Sequence, residues 1–316
     1  MIWVTGNVDG KKYKEPFSKG IMSRSLNVAD IGTERAYDIA SDIEAELAKN
    51  NVTEISSYEL ADVVLNHLNG VDPKIAKKYE NWRSLRKSKK PLIILIGGAS
   101  GVGTSSMAFE LANRLRLKNL ISTDMIREVM RKIVSKELSP VIHKSSFNAH
   151  ESIRTPLISI DPIIEGYINH VEVVNVGIEA IIERSIKEGI STIIEGVHIV
   201  PGFIRKDLLE DNNIIMFTLI VDDEESHKQR FYSRCRQPWV KRSLERYMDN
   251  FDTIRKTQKF LVEQAKINNV HVINNVDINE TIDIMINDIL EKFGGVNNVK
   301  QESQGNNDNR CNNHHM

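Results

Sequence analysis

Cysteine occurs only twice in the 316 residues, at Cys235 and Cys311. Two thiols that far apart exclude a disulfide-stapled scaffold and a cysteine-built zinc site. A charge excess is missing too: 42 lysines and arginines face 43 aspartates and glutamates, a formal net charge of −1. Without an overall basic field there is no electrostatic case for a nucleic-acid partner. Long apolar runs are also absent. No stretch reaches membrane-spanning length, and the opening "MIWVTGNVDGKKYKEPF" lacks the apolar centre of a signal peptide. These absences lead to the expectation of a soluble, cytoplasmic protein without a membrane partner. What is present is ordinary for a packed chain, 41% hydrophobic and 27% charged. The length allows two domains, or one large domain with an appendage.

Three regions separate by composition. Residues 1–90 hold a strand-like start, "MIWVTG", a turn at "VDGKK" and two amphipathic helical patterns. The first pattern lines up Ala36, Ile39, Ile43 and Leu47; the second follows a capping box of Ser56 and Glu59 and presents Leu60, Val64 and Leu68. The basic stretch 71–91 reads as a helical linker with a solvated face. Residues 91–293 alternate apolar β-branched runs with helical patterns. The runs are "LIILI" (92–96), "NLIST" (119–123), "STIIEG" (191–196), "IIMFTLIV" (214–221) and "VHVIN" (270–274). Short buried runs of this kind, each followed by a helix, predict an α/β fold with a parallel sheet. Residues 294–316 are Asn-rich, lack apolar periodicity and are expected to be disordered. Cys311 with His314 and His315 could bind a metal, but polar neighbours favour an unstructured tail.

One further absence concerns chemistry. After the first of these runs stands "GGASGVGTSS", in which Gly98, four residues, Gly103, Thr104 and Ser105 follow P-loop spacing with threonine where the pattern has lysine. Strand, loop and helix occur in the order a P-loop requires. Backbone N–H groups of such a loop turn inward around phosphate oxygens at a helix N-terminus. Gly98, Ser100, Gly101, Gly103, Thr104 and Ser105 are therefore the candidate nucleotide-binding residues, and Ser105 holds the position whose hydroxyl reaches Mg²⁺. The alternative is a glycine-rich turn without a ligand.

The lost lysine charge has possible substitutes. The segment 227–247 carries Arg230, Arg234, Arg236, Lys241, Arg242 and Arg246 and follows the fourth run, where a lid over the phosphates is expected. A solvated basic helix is the alternative. Within that segment Arg230 is assigned to the nucleotide and Arg234 to catalysis. "STDMIREVMRK" places Asp124 at a strand end with Arg127 and Arg131 four residues apart beside it. Asp124 is either the group that orients or deprotonates an attacking hydroxyl, or a helix cap; the two arginines suit an anionic substrate. "IIEGVHIVPG" ends a strand with Glu195, the candidate acidic residue for Mg²⁺, followed by His198 as a substrate-side candidate. "VIHKSSFNAHESIR" (141–154), polar and basic without a clear period, reads as a substrate-facing segment, with His143, Lys144 and Arg154 as the weaker candidates.

Taken together, "IGGASGVGTSS", "ISTDMIREVMR" and "IIEGVHIVPG" resemble the archaeal 2-phosphoglycerate kinases, and the likeness runs over nearly all of residues 1–293. That family is similar in fold to adenylate, shikimate and gluconate kinases. The resemblance implies a P-loop kinase sheet preceded by a small, mostly helical ATP-cone domain. It also implies transfer of the ATP γ-phosphate to 2-phosphoglycerate with Mg²⁺, giving the 2,3-bisphosphoglycerate from which methanogens make a cyclic compound. "GKKYKEPFSKGIMSRSL" with its two helices is similar to the ATP cone, a nucleotide-sensing module. Two rival readings remain open: a kinase of another small acid, and an ATP-binding regulator without transfer activity.

Overall fold

The structure is a computed structural model that describes residues 1–8, 11–29, 31–88, 90–153, 157–210, 213–235 and 243–294. The chain divides into two compact units, residues 1–88 together with 286 onward, and residues 89–285. Among the described residues no helix is long and apolar enough to cross a membrane.

The first unit opens with β1 (Trp3–Val8) and β2 (Lys11–Pro16), an antiparallel pair. Helices α1 (Lys19–Leu26) and α2 (Thr33–Lys49) follow, then the short strand β3 (Glu54–Ser56), which pairs parallel with β1. Helices α3 (Ser57–Val71) and α4 (Pro73–Lys87) close the run. Three short strands bury little; the helices supply most of the core. Ala36, Ile39, Ile43 and Leu47 of α2 are all buried, as their spacing predicts, and meet Val64 and Leu68 of α3. The expected capping box is present in full. The Ser56 hydroxyl accepts from the Glu59 amide at 3.1 Å, and Glu59 Oε2 accepts from the Ser56 amide at 2.9 Å, a cap worth about 1 kcal/mol. Two expectations are corrected. The basic stretch 71–91 is helical over 73–87, but α4 is not a solvated linker: Ala76, Tyr79, Trp82 and Leu85 are buried, the first two in the core of this unit. In addition, α1 was not legible in the sequence.

The second unit holds the parallel sheet. Its elements are β4 (Leu92–Gly98), α5 (Thr104–Leu115), β5 (Asn119–Ser122), α6 (Thr123–Ile133), the long α7 (Pro162–Glu188) and β6 (Thr192–Gly196). After these come α8 (Lys206–Leu209), β7 (Asn213–Ile220), α9 (Glu224–Cys235), α10 (Leu244–Met248), α11 (Phe251–Ile267), β8 (His271–Asn274) and the start of α12 (Ile278–Gly294), whose residues from 286 on belong to the first unit. All five apolar runs form strands, in the order β5-β6-β4-β7-β8 and parallel throughout. Every residue of β4 is buried. Ile93 and Leu95 on one face pack with Val174, Ile178 and Ile182 of α7, each such side chain contributing about 1.5–3 kcal/mol by leaving water. Because the sheet is parallel, all its C-terminal strand ends open at one edge. The candidate residues gather there.

Candidate active site

At the end of β4 the chain turns through residues 98–103 into α5. Gly101 and Gly103 have φ of +89° and +96°, a region that L side chains rarely enter. A Cβ at Gly101 would also run into the ring of Phe231. The loop is braced from its far side. The Val102 carbonyl accepts from Arg230 Nη1 and from Asn275 Nδ2, each at 2.8 Å. The Ser100 carbonyl lies 2.8 Å from His227 Nε2, which therefore donates. Burial lowers the pKa of His227 below the usual histidine value, against the opposing effect of that hydrogen bond, so the neutral Nε2–H tautomer fits its role.

In front of the loop is a cavity of about 390 Å³. Gly98, Ser100, Gly101, Thr104 and Ser105 form one wall, and Glu195 stands at its corner. Thr104, the residue in the lysine position, donates its hydroxyl to Glu195 Oε2 at 2.7 Å. Away from the loop, Asp124, Arg127 and Arg131 with the segment His143–Phe147 form a second wall, and Ser122, Gly196, Val197, Arg234, Arg246 and Tyr247 line the cavity too. Five arginines and lysines (127, 131, 144, 234, 246) thus face two carboxylates (124, 195).

Three of these cations are held in place. Arg127 donates through Nη2 to the Lys144 carbonyl, Arg131 pairs with Glu128 at 2.8 Å, and Lys144 pairs with Glu151 at 2.6 Å. Burial, and secondarily the neighbouring Arg131, push the pKa of Arg127 below its ordinary value. The Nε atoms of Arg127 and Arg131 are buried without a hydrogen-bond partner. Such donors favour an anion nearby. Ser122, not Asp124, takes the N-cap position of α6, and Asp124 lies in the first turn. The reading of Asp124 as a cap therefore does not hold.

Three candidates do not line the cavity. Gly103 is the left-handed N-cap of α5. Arg230 donates to the loop carbonyl of Val102 and to the carbonyl of Asn275. His198 is also displaced from its expected place: it is 1% exposed, behind the wall, with Nδ1 2.8 Å from the Thr123 hydroxyl and its ring 5.0 Å from that of His170. Burial pushes its pKa down to about 3 and that of His170 to about 2. Arg154, Arg236, Lys241, Arg242, Cys311, His314 and His315 lie outside the described residues. Sequence reasoning singled out none of Ser122, Ser145, Ser146, Phe147 and Tyr247 by name, although the stretch 141–154 that holds Ser145, Ser146 and Phe147 reads as substrate-facing and Tyr247 ends the basic segment 227–247.

A parallel sheet whose central strand runs into a phosphate loop, with carboxylates following two neighbouring strands over one cavity, defines a P-loop kinase. Comparison with known proteins narrows this class. The chain is 56% identical over 292 residues to the 2-phosphoglycerate kinase of Methanothermobacter thermautotrophicus, covering 92% of this chain and 95% of that one. It is 45% identical over 286 residues to the 2-phosphoglycerate kinase of Methanopyrus kandleri, with 90% and 87% covered. For that of Methanococcus maripaludis strain C6 the identity is 43% over 295 residues, with 92% and 93% covered. Residues 8–88 match the ATP cone domain family. The chain belongs to the 2-phosphoglycerate kinase family, and it is an ATP-dependent phosphotransferase.

Proposed function

We propose that this protein transfers the γ-phosphate of ATP to the free hydroxyl of 2-phosphoglycerate, giving 2,3-bisphosphoglycerate. The observation that carries the reading is the single cavity in which a phosphate loop faces Asp124 and five cationic side chains. A three-carbon acid bearing both phosphate and carboxylate needs such a wall; an unphosphorylated hydroxy acid, with one negative charge, needs less of it, and a neutral sugar needs none. Bidentate guanidinium contacts from Arg127 and Arg131 suit both anionic groups. Asp124, on the same helix face, accepts the proton of the attacking hydroxyl or orients it. Arg234 and Arg246 neutralise charge that spreads over the transferring phosphoryl oxygens.

Mg²⁺ belongs to this reading. Ser105 and Glu195 offer hard oxygen donors, which suit it. Among the described residues no group of three His, Cys, Asp or Glu could cage a metal. When bound, Mg²⁺ would neutralise charge on the nucleotide phosphates. The Thr104 hydroxyl fixes one Glu195 oxygen and leaves the rest of the carboxylate for that ion. The N-terminal unit, by its match to the ATP cone family, is proposed to sense nucleotide, and the protein to act in the cytoplasm.

The test is ADP release with ATP, Mg²⁺ and a panel of acids. Turnover with 2-phosphoglycerate should exceed that with glycerate or 3-phosphoglycerate by about tenfold or more. Faster turnover of an unphosphorylated acid would overturn the substrate assignment, and ATP binding without any product would favour the regulator.

A further inference from the structure

The loop carries no cation of its own, but one is hydrogen-bonded to its backbone. Arg230 projects from α9 with Nη1 on the Val102 carbonyl at 2.8 Å and Nη2 on the Asn275 carbonyl. Nη1 would lie only 3.2 Å from a Cβ on Gly103, so the guanidinium sits against the turn that leads into α5. Both partners are neutral carbonyls, which orient the charge without cancelling it. The side chain is half-buried, and burial lowers its pKa below the ordinary arginine value. A partly desolvated cation with neutral partners is costly, and an anion on the other side of the loop offsets that cost. Asn275, itself 1% exposed, reaches the same carbonyl, and His227 holds that of Ser100. With these carbonyls drawn backward, the loop's N–H groups are left for the cavity.

We infer that Arg230 supplies, through the loop from behind, the positive charge that a lysine at position 104 would place in front of it. Arg230 is then a positioning and charge-supplying residue that does not touch the nucleotide. The inference rests on the reading of the loop as the site of the ATP phosphates. It explains how Thr104 can be given over to Glu195.

Three variants separate charge from bracing. Arg230→Gln keeps a hydrogen-bonding amide and removes the charge. It should raise KM for ATP, and Kd for ADP by calorimetry, roughly tenfold or more while KM for 2-phosphoglycerate stays within about twofold. Arg230→Lys should keep ATP affinity within about threefold of the parent. Asn275→Ala loses a bond to the same carbonyl but no charge, and should weaken ATP less than Arg230→Gln does. Adding Thr104→Lys to Arg230→Gln should recover ATP affinity, because the charge returns from the front. Equal effects of Arg230→Gln and Asn275→Ala, or an unchanged KM for ATP in Arg230→Gln, would overturn the inference and leave the kinase reading intact. A parent protein that binds no ATP at this loop would overturn both.

Discussion

The two walls of the cavity are built by opposite means. On the loop side, a neutral surface of backbone and hydroxyls (Gly98, Ser100, Gly101, Thr104, Ser105) lines the cavity, and Arg230, which does not line it, is hydrogen-bonded to the loop's Val102 carbonyl. On the acceptor side, long charged side chains line the cavity directly, and Arg127, Arg131 and Lys144 each have a partner that fixes them. Backbone amides recognise any polyphosphate of the right shape. Side-chain forks recognise one small molecule. The difference teaches where substitutions should show themselves: side-chain changes on the acceptor wall alter chemistry and substrate choice, while those near the loop act on nucleotide affinity.

The comparison is sharpened most at Asp124. Asp124→Asn keeps the size of the side chain but cannot accept a proton, so kcat should fall by roughly 10²-fold or more with ATP binding nearly unchanged. Turnover at the parent rate would remove Asp124 from the chemistry. Next in size is a matched pair. Arg127→Ala should raise KM for 2-phosphoglycerate by about tenfold or more and leave KM for ATP nearly alone. Arg234→Ala should do the reverse or lower kcat. Steady-state kinetics with each substrate varied in turn would decide, and two variants failing in the same manner would break the division into walls.

How far these walls were visible beforehand depends on the distance between the residues concerned. The five strands were legible because a buried parallel strand is a short unbroken apolar run, and "IIMFTLIV" can be little else. The loop was legible from spacing, and Asp124 and Glu195 from their places at strand ends. The residues that brace the loop were not. Arg230 and Asn275 are 45 residues apart in sequence, and nothing local marks an arginine that will point backward. The segment 141–147 had no period because its turns are held by tertiary bonds, the Arg127 guanidinium on the Lys144 carbonyl and the His143 ring on that of Val134. In α4 the basic residues dominated the composition and hid Ala76, Tyr79, Trp82 and Leu85, a row in steps of three. His198 was misplaced for the converse reason: a histidine on a loop after a strand reads as exposed until the neighbouring helix covers it.

The backs of the walls yield a smaller effect. His170 and His198 behind the acceptor wall and His227 behind the loop are neutral and buried, with pKa values below the unfolded value of about 6.5. The unfolded chain therefore binds more protons than the folded one below pH about 6.5, and stability must fall as pH falls through that window. Between pH 6.5 and 5, above the range where most carboxylates titrate, His170 and His198 each contribute a slope of up to about 1.4 kcal/mol per pH unit. Urea unfolding at pH 7, 6 and 5 should show the decline in the parent protein and a shallower one in His198→Gln. Identical slopes would mean that acid does not act through His198.

The smallest effect is expected where the sequence departs most visibly from its motif. If Arg230, Arg234 and Arg246 already supply the positive charge around the phosphates, Thr104→Lys adds a cation to a site that does not need one. The substitution also removes the 2.7 Å hydrogen bond that fixes Glu195. A lysine there would pair with that buried carboxylate and compete for the oxygens proposed for Mg²⁺. The two consequences oppose each other: nucleotide binds more tightly while the carboxylate is drawn from its task. kcat should accordingly change by no more than a few-fold in either direction, with a tighter Kd for ADP and slower product release. A loop that had simply lost its charge would behave differently, because a missing cation at a transferring phosphate costs several kcal/mol. Single-turnover and steady-state rates of Thr104→Lys decide between the two: a gain of roughly 10²-fold would show that nothing in this cavity stands in for the lysine.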